Sequence, residues 1–249
     1  ALGVSAPRVP SEESGRVPSE ESGREDREAS GDGVRLVLAS ASPARRATLV
    51  AAGVDPEVIV SSVDEAAVLA AAQEEPRAAT LLPPDVALLL ARAKAEDVAA
   101  RLPREAVVLG CDSVFELDGA VYGKPSDAAD AAARWRSMSG RTGLLHTGHW
   151  LLHEGGEVGA TASTYVRFAS VTDDEVRAYV ATGEPLACAG AFTIDGYGGA
   201  FVEEVRGDPH NVVGVSLPLL RRLLQQLGIR WIDLWRPSLR PPALSPRDG

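Results

Sequence analysis

The sequence LVLASASPARRATL, residues 36–49, is the strongest constraint on the fold. An apolar run stops at two serines and a proline, and two arginines follow at once. A fully apolar strand needs cover on both faces, as in the parallel part of an α/β sheet. Ser42 as N-cap and Pro43 at the first helical position predict a helix over 43–52, closed by Gly53. The strand therefore runs straight into a helix N-terminus, whose free N–H groups and positive dipole end favour anions. Ser40 and Ser42 add hydroxyls there, and Arg45 adds a forked cation suited to phosphate. An ordinary capped helix with solvated arginines is the competing reading. The P-loop glycines and Lys-Ser/Thr pair are absent.

The rest of the chain repeats this alternation. Strands are expected at 34–39, 58–60 and 106–110, and helices at 85–100, 126–138 and 217–227. Asp118-Gly119 between short apolar runs predicts a hairpin with a type I′ turn. Strands at 144–152 and 157–168 are joined by Gly155-Gly156, and Thr172 with Glu175 forms a capping box for a helix through Val180. Strands mixed with helices, some hairpin-joined, give an α/β fold with a mixed sheet.

Residues 1–32 read differently. RVPSEESG at 8–15 recurs at 16–23, too polar to offset chain entropy, so a disordered low-complexity extension is expected. The folded domain is expected over 33–230. Residues 231–249 form a Pro-rich tail, mostly disordered, and the sequence leaves open whether Trp231, Ile232, Leu234 and Trp235 dock on the domain, on a partner or on nothing. The N-terminal stretch has no apolar core behind a basic start, and no run of about 18 apolar residues occurs, so neither a secretory signal nor a membrane span is expected. A cytoplasmic location follows as an expectation, with Cys111 and Cys188 as small buried thiols. The net charge of −10 argues against a nucleic-acid partner.

Several side chains invite a chemical reading. Asp112 ends an apolar strand in VVLGCDSV, as a turn cap or as a site residue at the carboxyl edge of a sheet. Lys124 sits in a Gly-Lys-Pro loop, where an exposed loop lysine is the default. VDE at 63–65 reads as a solvated acidic loop, and Lys94 as a lysine at the edge of a helix's apolar stripe. The glycine-rich stretch 183–214 is more typical of a pocket wall than of plain connections. His146 faces opposite to His149 and His153 on a strand, so the three cannot converge on zinc.

These pieces, in order, resemble the Maf family of nucleotide pyrophosphatases. The matching stretches are LASASPARR, VDE, ARAKA, LGCDSV, GKPSDAADA, SGRTGLLHTG, GEPLACAGAFTIDGYGGAFVEEVRGD and NVVGVSLPLL, from about 34 to 229. The resemblance implies an elongated mixed sheet flanked by helices, with two lobes around a cleft. It implies hydrolysis of a nucleoside triphosphate to the monophosphate and pyrophosphate, with Asp112 as the catalytic acid group and Ser40, Arg45, Glu65, Lys94 and Lys124 as polar cleft residues. A divalent cation, Mg²⁺ or Mn²⁺, is expected on Asp112 and Glu65, and a homodimer is implied by the resemblance alone. A nucleotide-binding regulator of cell division is the alternative. The chain departs from the pyrimidine-triphosphate branch at Ala44, Ser113 and Asp195, where Arg, Thr and Gln are typical, and Gly143 stands where His is frequent. A broad or shifted base preference, toward modified nucleotides, is the resulting expectation.

Overall fold

A computed structural model describes residues 34–74 and 81–236. In chain order the elements are β1 (Leu36–Ala39), α1 (Pro43–Ala51), β2 (Glu57–Val58), α2 (Glu65–Glu74), α3 (Pro83–Ala99), β3 (Val107–Leu117), β4 (Ala120–Tyr122), α4 (Ala128–Met138), β5 (Thr142–His153), β6 (Gly156–Phe168), α5 (Asp173–Ala181), β7 (Val202–Arg206), α6 (Pro209–Val213) and α7 (Leu217–Gln226). The sheet order is β2-β1-β3-β5-β6-β7, with β4 pairing to the end of β3. The β2-β1-β3 side is parallel and the β3-β5-β6-β7 side antiparallel, the mixed α/β sheet expected.

Side-chain alternation along β3 sorts the core. Val107, Leu109 and Cys111 join Leu49 of α1 and Leu219, Leu220, Leu223 and Leu224 of α7 in one apolar cluster. Phe115 and Leu117, further along the same face, pack with Trp135 of α4 and Tyr179 of α5 in a second. Val108 points the other way, into a third cluster with Ala95 and Val98 of α3. The two same-face clusters form two lobes strung along one strand.

Helix α3 lies very close to the sheet, and two glycines permit it. A Cβ at Gly110 would come 2.0 Å from the Ala91 carbonyl oxygen, and one at Gly148 would come 2.2 Å from that of Ala87. Gly148 is the cross-strand partner of Asp112, and Gly110 lies two residues before it on the same face. A side chain at either position would push the helix away.

Several expectations need correction. Asp112 does not end a strand: β3 runs unbroken for 11 residues through it, because β5 pairs with it from Val108 to Glu116. The acidic loop is half helix, since Glu65 begins α2 with Asp64 accepting from the Ala67 N–H at 3.0 Å. The glycine-rich stretch, expected as a pocket wall without assigned elements, contains 3₁₀ turns and then β7 and α6. In β7 the apolar residues fall at Val202 and Val205, out of step with a two-residue period, and the pairing with β6 shifts register at Arg167/Phe168. The type I′ turn forms as expected, with Asp118 at φ 53° and Gly119 at φ 79°. The residues following α7 dock on the domain: Leu234 is buried in the first cluster, Trp235 bridges to Val54, and the Arg236 N–H donates to the Gly53 carbonyl at 2.8 Å. The repeated N-terminal extension and the Pro-rich end lie outside the described residues. No described helix is long and apolar enough to cross a membrane.

Replacing Gly148 by Ala is expected to destabilise the fold by about 1–3 kcal/mol through overpacking of α3. Urea unfolding of Gly148→Ala beside the wild type measures it, and an unchanged midpoint would contradict the close approach.

Candidate active site

The site lies where β1 ends. Pairing of β1 with β3 stops at Ala39–Gly110, and β4 resumes pairing on the same side only at Phe115–Tyr122. Residues 111–114 of β3 therefore have no strand beside them on that edge, an opening of about 13 Å at ordinary strand rise. The Ser40–Ser42 turn and the start of α1 flank one end of this gap. The loop carrying Lys124, just after β4, flanks the other.

Asp112 projects from the open stretch toward α3. Lys94 Nζ donates to Asp112 Oδ1 at 2.5 Å and lies 2.7 Å from Glu65 Oε1. The lysine and aspartate side chains are only 14% and 11% exposed, while Glu65 is half exposed at 52%. Burial pushes the Asp112 carboxyl above the ordinary carboxylate range, and the nearby Lys94 and Arg45 charges oppose that shift. The structure thus joins three of the expected residues, Glu65, Lys94 and Asp112, into one ion-paired group. Lys94 is not a snorkelling surface lysine.

Arg45 lies on the opposite face of β3 and is enclosed. Its Nε donates to the Gly214 carbonyl at 2.8 Å, Nη1 to Ser40 Oγ at 2.9 Å and the Cys111 carbonyl at 3.0 Å, and Nη2 to Ser113 Oγ at 2.9 Å. Four of the five guanidinium N–H donors are engaged by neutral acceptors of the protein itself. Arg45 therefore stitches the end of β1, the open edge of β3 and the loop after α6, and contributes its charge at short range. Ser40 Oγ also accepts from the Ser42 N–H at 3.2 Å, which leaves its own hydroxyl proton free to donate. Ser42 caps α1 as expected, accepting from the Arg45 N–H at 3.4 Å, and Ala44 is half buried in that first turn.

The proton order in the buried chain beyond Arg45 follows from its acceptors. Thr147 Oγ1 lies 3.1 Å from the Asn211 carbonyl, which can only accept, so Thr147 donates there. Ser113, 2.9 Å away, then donates to Thr147 and accepts from Arg45. His149 obeys the same logic: Nδ1 donates to the Thr147 carbonyl at 3.0 Å, and Nε2 accepts from the Ser216 N–H at 2.8 Å. One neutral tautomer is fixed, and burial holds its pKa down at about 4. Ser113 was singled out by its type. Thr147 and Asn211 were not, and His149 was weighed only as a zinc ligand, because their partners lie 34–67 residues away.

His146 leaves β5 on the face opposite to His149. It bonds Glu116 at 2.9 Å through Nε2 and Ser163 at 2.7 Å through Nδ1. Lys124 and Asp195 are both exposed. Burial and the Glu184 and Asp195 carboxylates push the Cys188 thiol up, and the Lys124 ammonium opposes them. The Gly190 N–H donates to the Gly123 carbonyl at 3.0 Å, tying the Lys124 loop to the glycine-rich wall. Asp195 Oδ1 accepts from the Thr193 hydroxyl. Cys111 is fully buried as expected, whereas Cys188 is half buried, and burial pushes its thiol up to about 11.

The donor set suits a hard divalent cation. Asp112 and Glu65 converge on a single cation position, now taken by the Lys94 ammonium, and both offer carboxylate oxygens. No cluster of three or more metal-binding side chains occurs among the described residues. Two carboxylates fit an ion that takes its remaining ligands from substrate phosphates and water, as Mg²⁺ does.

An open α/β sheet brings a capped helix N-terminus, a buried ion-paired carboxylate and two lysines to one gap in strand pairing, an arrangement of the α/β class that suits anions. The chain belongs to the Maf family: residues 35–227 match the model described as Maf-like protein. It is 54% identical over 208 residues to a protein of Salinispora tropica named nucleoside triphosphate pyrophosphatase, covering 81% of this chain and 88% of that protein. Proteins of the same name from Streptomyces coelicolor and a Cyanothece species are 54% and 50% identical, covering 96% and 100% of their lengths.

Because His149 is neutral when folded, the unfolded chain binds a proton there between pH 6.5 and about 4 that the native state refuses. Stability should fall as pH drops through that window, by about 3 kcal/mol in total from this group. His149→Gln should flatten the dependence of urea stability on pH between 4.5 and 6.5. Equal slopes in the two proteins would show that His149 does not carry it.

Proposed function

We propose that this chain hydrolyses nucleoside triphosphates to nucleoside monophosphate and pyrophosphate, clearing noncanonical or modified nucleotides. The observation that carries the reading is the Glu65–Lys94–Asp112 group at the open edge of β3, between a helix N-terminus and Lys124. The names of the relatives support the hydrolysis itself. A sensor that only bound nucleotide would have no use for a buried carboxylate with a raised pKa.

The substrate tail carries about four negative charges, and a protein of net charge −10 must neutralise them locally. Lys124, Lys94 and the Ser40–Ser42 turn supply that neutralisation, with Arg45 setting the turn's geometry and adding its charge from beside the gap. A divalent cation, Mg²⁺ or Mn²⁺, held by Asp112 and Glu65, supplies further charge neutralisation and polarises the phosphoryl oxygens when bound. Asp112 Oδ1 faces the cation position, which Lys94 fills in the resting protein, and this leaves Oδ2 to accept a proton from the attacking water. The water oxygen bonds to the α-phosphorus, the α–β bridge breaks, and pyrophosphate leaves with the bond's electron pair. Asp195, exposed on the glycine-rich wall, faces the base with an acceptor-only carboxylate where an amide would both accept and donate.

Asp112→Asn should cut kcat by about 10²–10⁴-fold with the fold intact, read as pyrophosphate release from a panel of canonical and modified nucleoside triphosphates. Retained activity would remove Asp112 from the chemistry, and no release by the wild type from any member of the panel would overturn the reading. The Lys94 charge lowers the Asp112 pKa, so Lys94→Met should move the acid limb of the pH–rate profile to higher pH. An unmoved limb would mean that Asp112 is not the group titrating. Asp195→Gln should change the ratio of activities between bases, and constant ratios would place base selection elsewhere.

A further inference from the structure

Asp112 and Glu65 meet on one cation position, and an ammonium occupies it: Lys94 Nζ stands 2.5 Å from one carboxylate and 2.7 Å from the other. A divalent cation drawn to the same oxygens and the Lys94 ammonium cannot both sit between them. Composition supplies an independent observation. The chain has 25 basic residues, and only two are lysines, Lys94 and Lys124. Elsewhere the chain uses arginine. A guanidinium is a planar fork that locks onto a carboxylate in a fixed plane. An ammonium is a compact point charge on a four-carbon stem, able to enter a small cation position and to leave it. The surroundings permit such a movement. The backbone of Lys94 is held by the packing of α3 on Gly110 and Gly148, whereas Glu65 is half exposed at the first turn of α2.

We infer that Lys94 is a resident counter-ion for Asp112 and Glu65 that a divalent cation displaces, so that the freed ammonium is handed to the anionic tail of the substrate. This rests on the proposed hydrolase reading and adds a positioning role for Lys94 in the resting protein. One charge is used twice. It first makes a buried carboxylate tolerable and then meets the phosphates. Without a polyanion to receive the ammonium, displacement costs more, so metal and substrate should bind more tightly together than apart.

With only two lysines, lysine-selective ¹³C and ¹⁵N labelling of the full chain gives two side-chain signals, which Lys124→Arg assigns. Titration with Mg²⁺ in the absence of nucleotide should shift the Lys94 signal toward that of a solvated ammonium while Lys124 stays in place. A Lys94 signal unchanged at Mg²⁺ saturation overturns the inference. In a second arm, free Mn²⁺ is followed by electron paramagnetic resonance at pH 8.5. Lys94→Met should bind Mn²⁺ about tenfold or more tightly than the wild type, because a positive charge has been removed from beside the ion. Equal or weaker binding by the variant, or no binding by either protein, overturns it. The two readings fail separately: a wild type that releases pyrophosphate with a static Lys94 keeps the hydrolase and loses the exchange. A mobile Lys94 in a protein that hydrolyses no nucleotide does the reverse.

Discussion

A carboxylate buried in a sheet must have a partner, and the pairing of Asp112 with Lys94 organises much of this molecule. An unpaired charge at that depth would cost several kcal/mol or neutralise itself. The partner comes from α3, and a lysine on a helix reaches a mid-strand aspartate only if the helix lies close to the sheet. Gly110 and Gly148 provide that closeness, one beside Asp112 along its own strand and the other directly across from it. Backbone packing and site electrostatics are one problem here. A residue chosen to fill space at either glycine would also pull apart the charged pair.

The other face of β3 solves a complementary problem. Where β1 stops, the strand edge exposes polar backbone groups, and Arg45 takes the Cys111 carbonyl that a longer β1 would have paired. The guanidinium reaches four acceptors drawn from the β1 end, the β3 edge and the loop after α6. Beyond it, Ser113, Thr147 and Asn211 form an ordered polar chain between the two apolar clusters. Those clusters share one face of the sheet without merging. The two faces of a single strand thus carry different duties: a buried ion pair on one and a fixed scaffold on the other.

Much of this was legible in the sequence, for identifiable reasons. The strand–Ser-Ala-Ser-Pro–helix turn, the type I′ hairpin and the Thr172 capping box rest on local rules, and the structure shows each. The continuity of β3 was not legible, because Asp112 and Ser113 interrupt its apolar pattern and the pairing that carries it through comes from β5. The helix beginning at Glu65 did have a local signal, Asp64 as a cap before an alanine-rich run, but the acidic pair suggested a loop. Arg45 was expected to meet phosphate because its sequence neighbours are serines. Its protein partners include residues 66, 68 and 169 positions away, and only the fold brings them in. Lys94 shows the same limit, since an amphipathic helix pattern says which face is apolar and nothing about a carboxylate waiting beneath its edge.

The clasp at the end of the described chain has one more consequence. Trp235 bridges to Val54, the Arg236 N–H donates to the Gly53 carbonyl, and the Arg236 side chain donates to the Val34 carbonyl at 3.1 Å. First and last residues of the packed domain are therefore held side by side. Topologically the domain is nearly a ring, cut at a point away from the gap in β3. A short peptide across that cut would close it, and the chain could then be reopened at an exposed turn such as Asp118-Gly119 without separating any two strands that now pair. In such a permuted chain the order of synthesis would change while the cleft's geometry stayed the same, because what holds the cleft is the set of contacts across β3 and not the place where the chain begins.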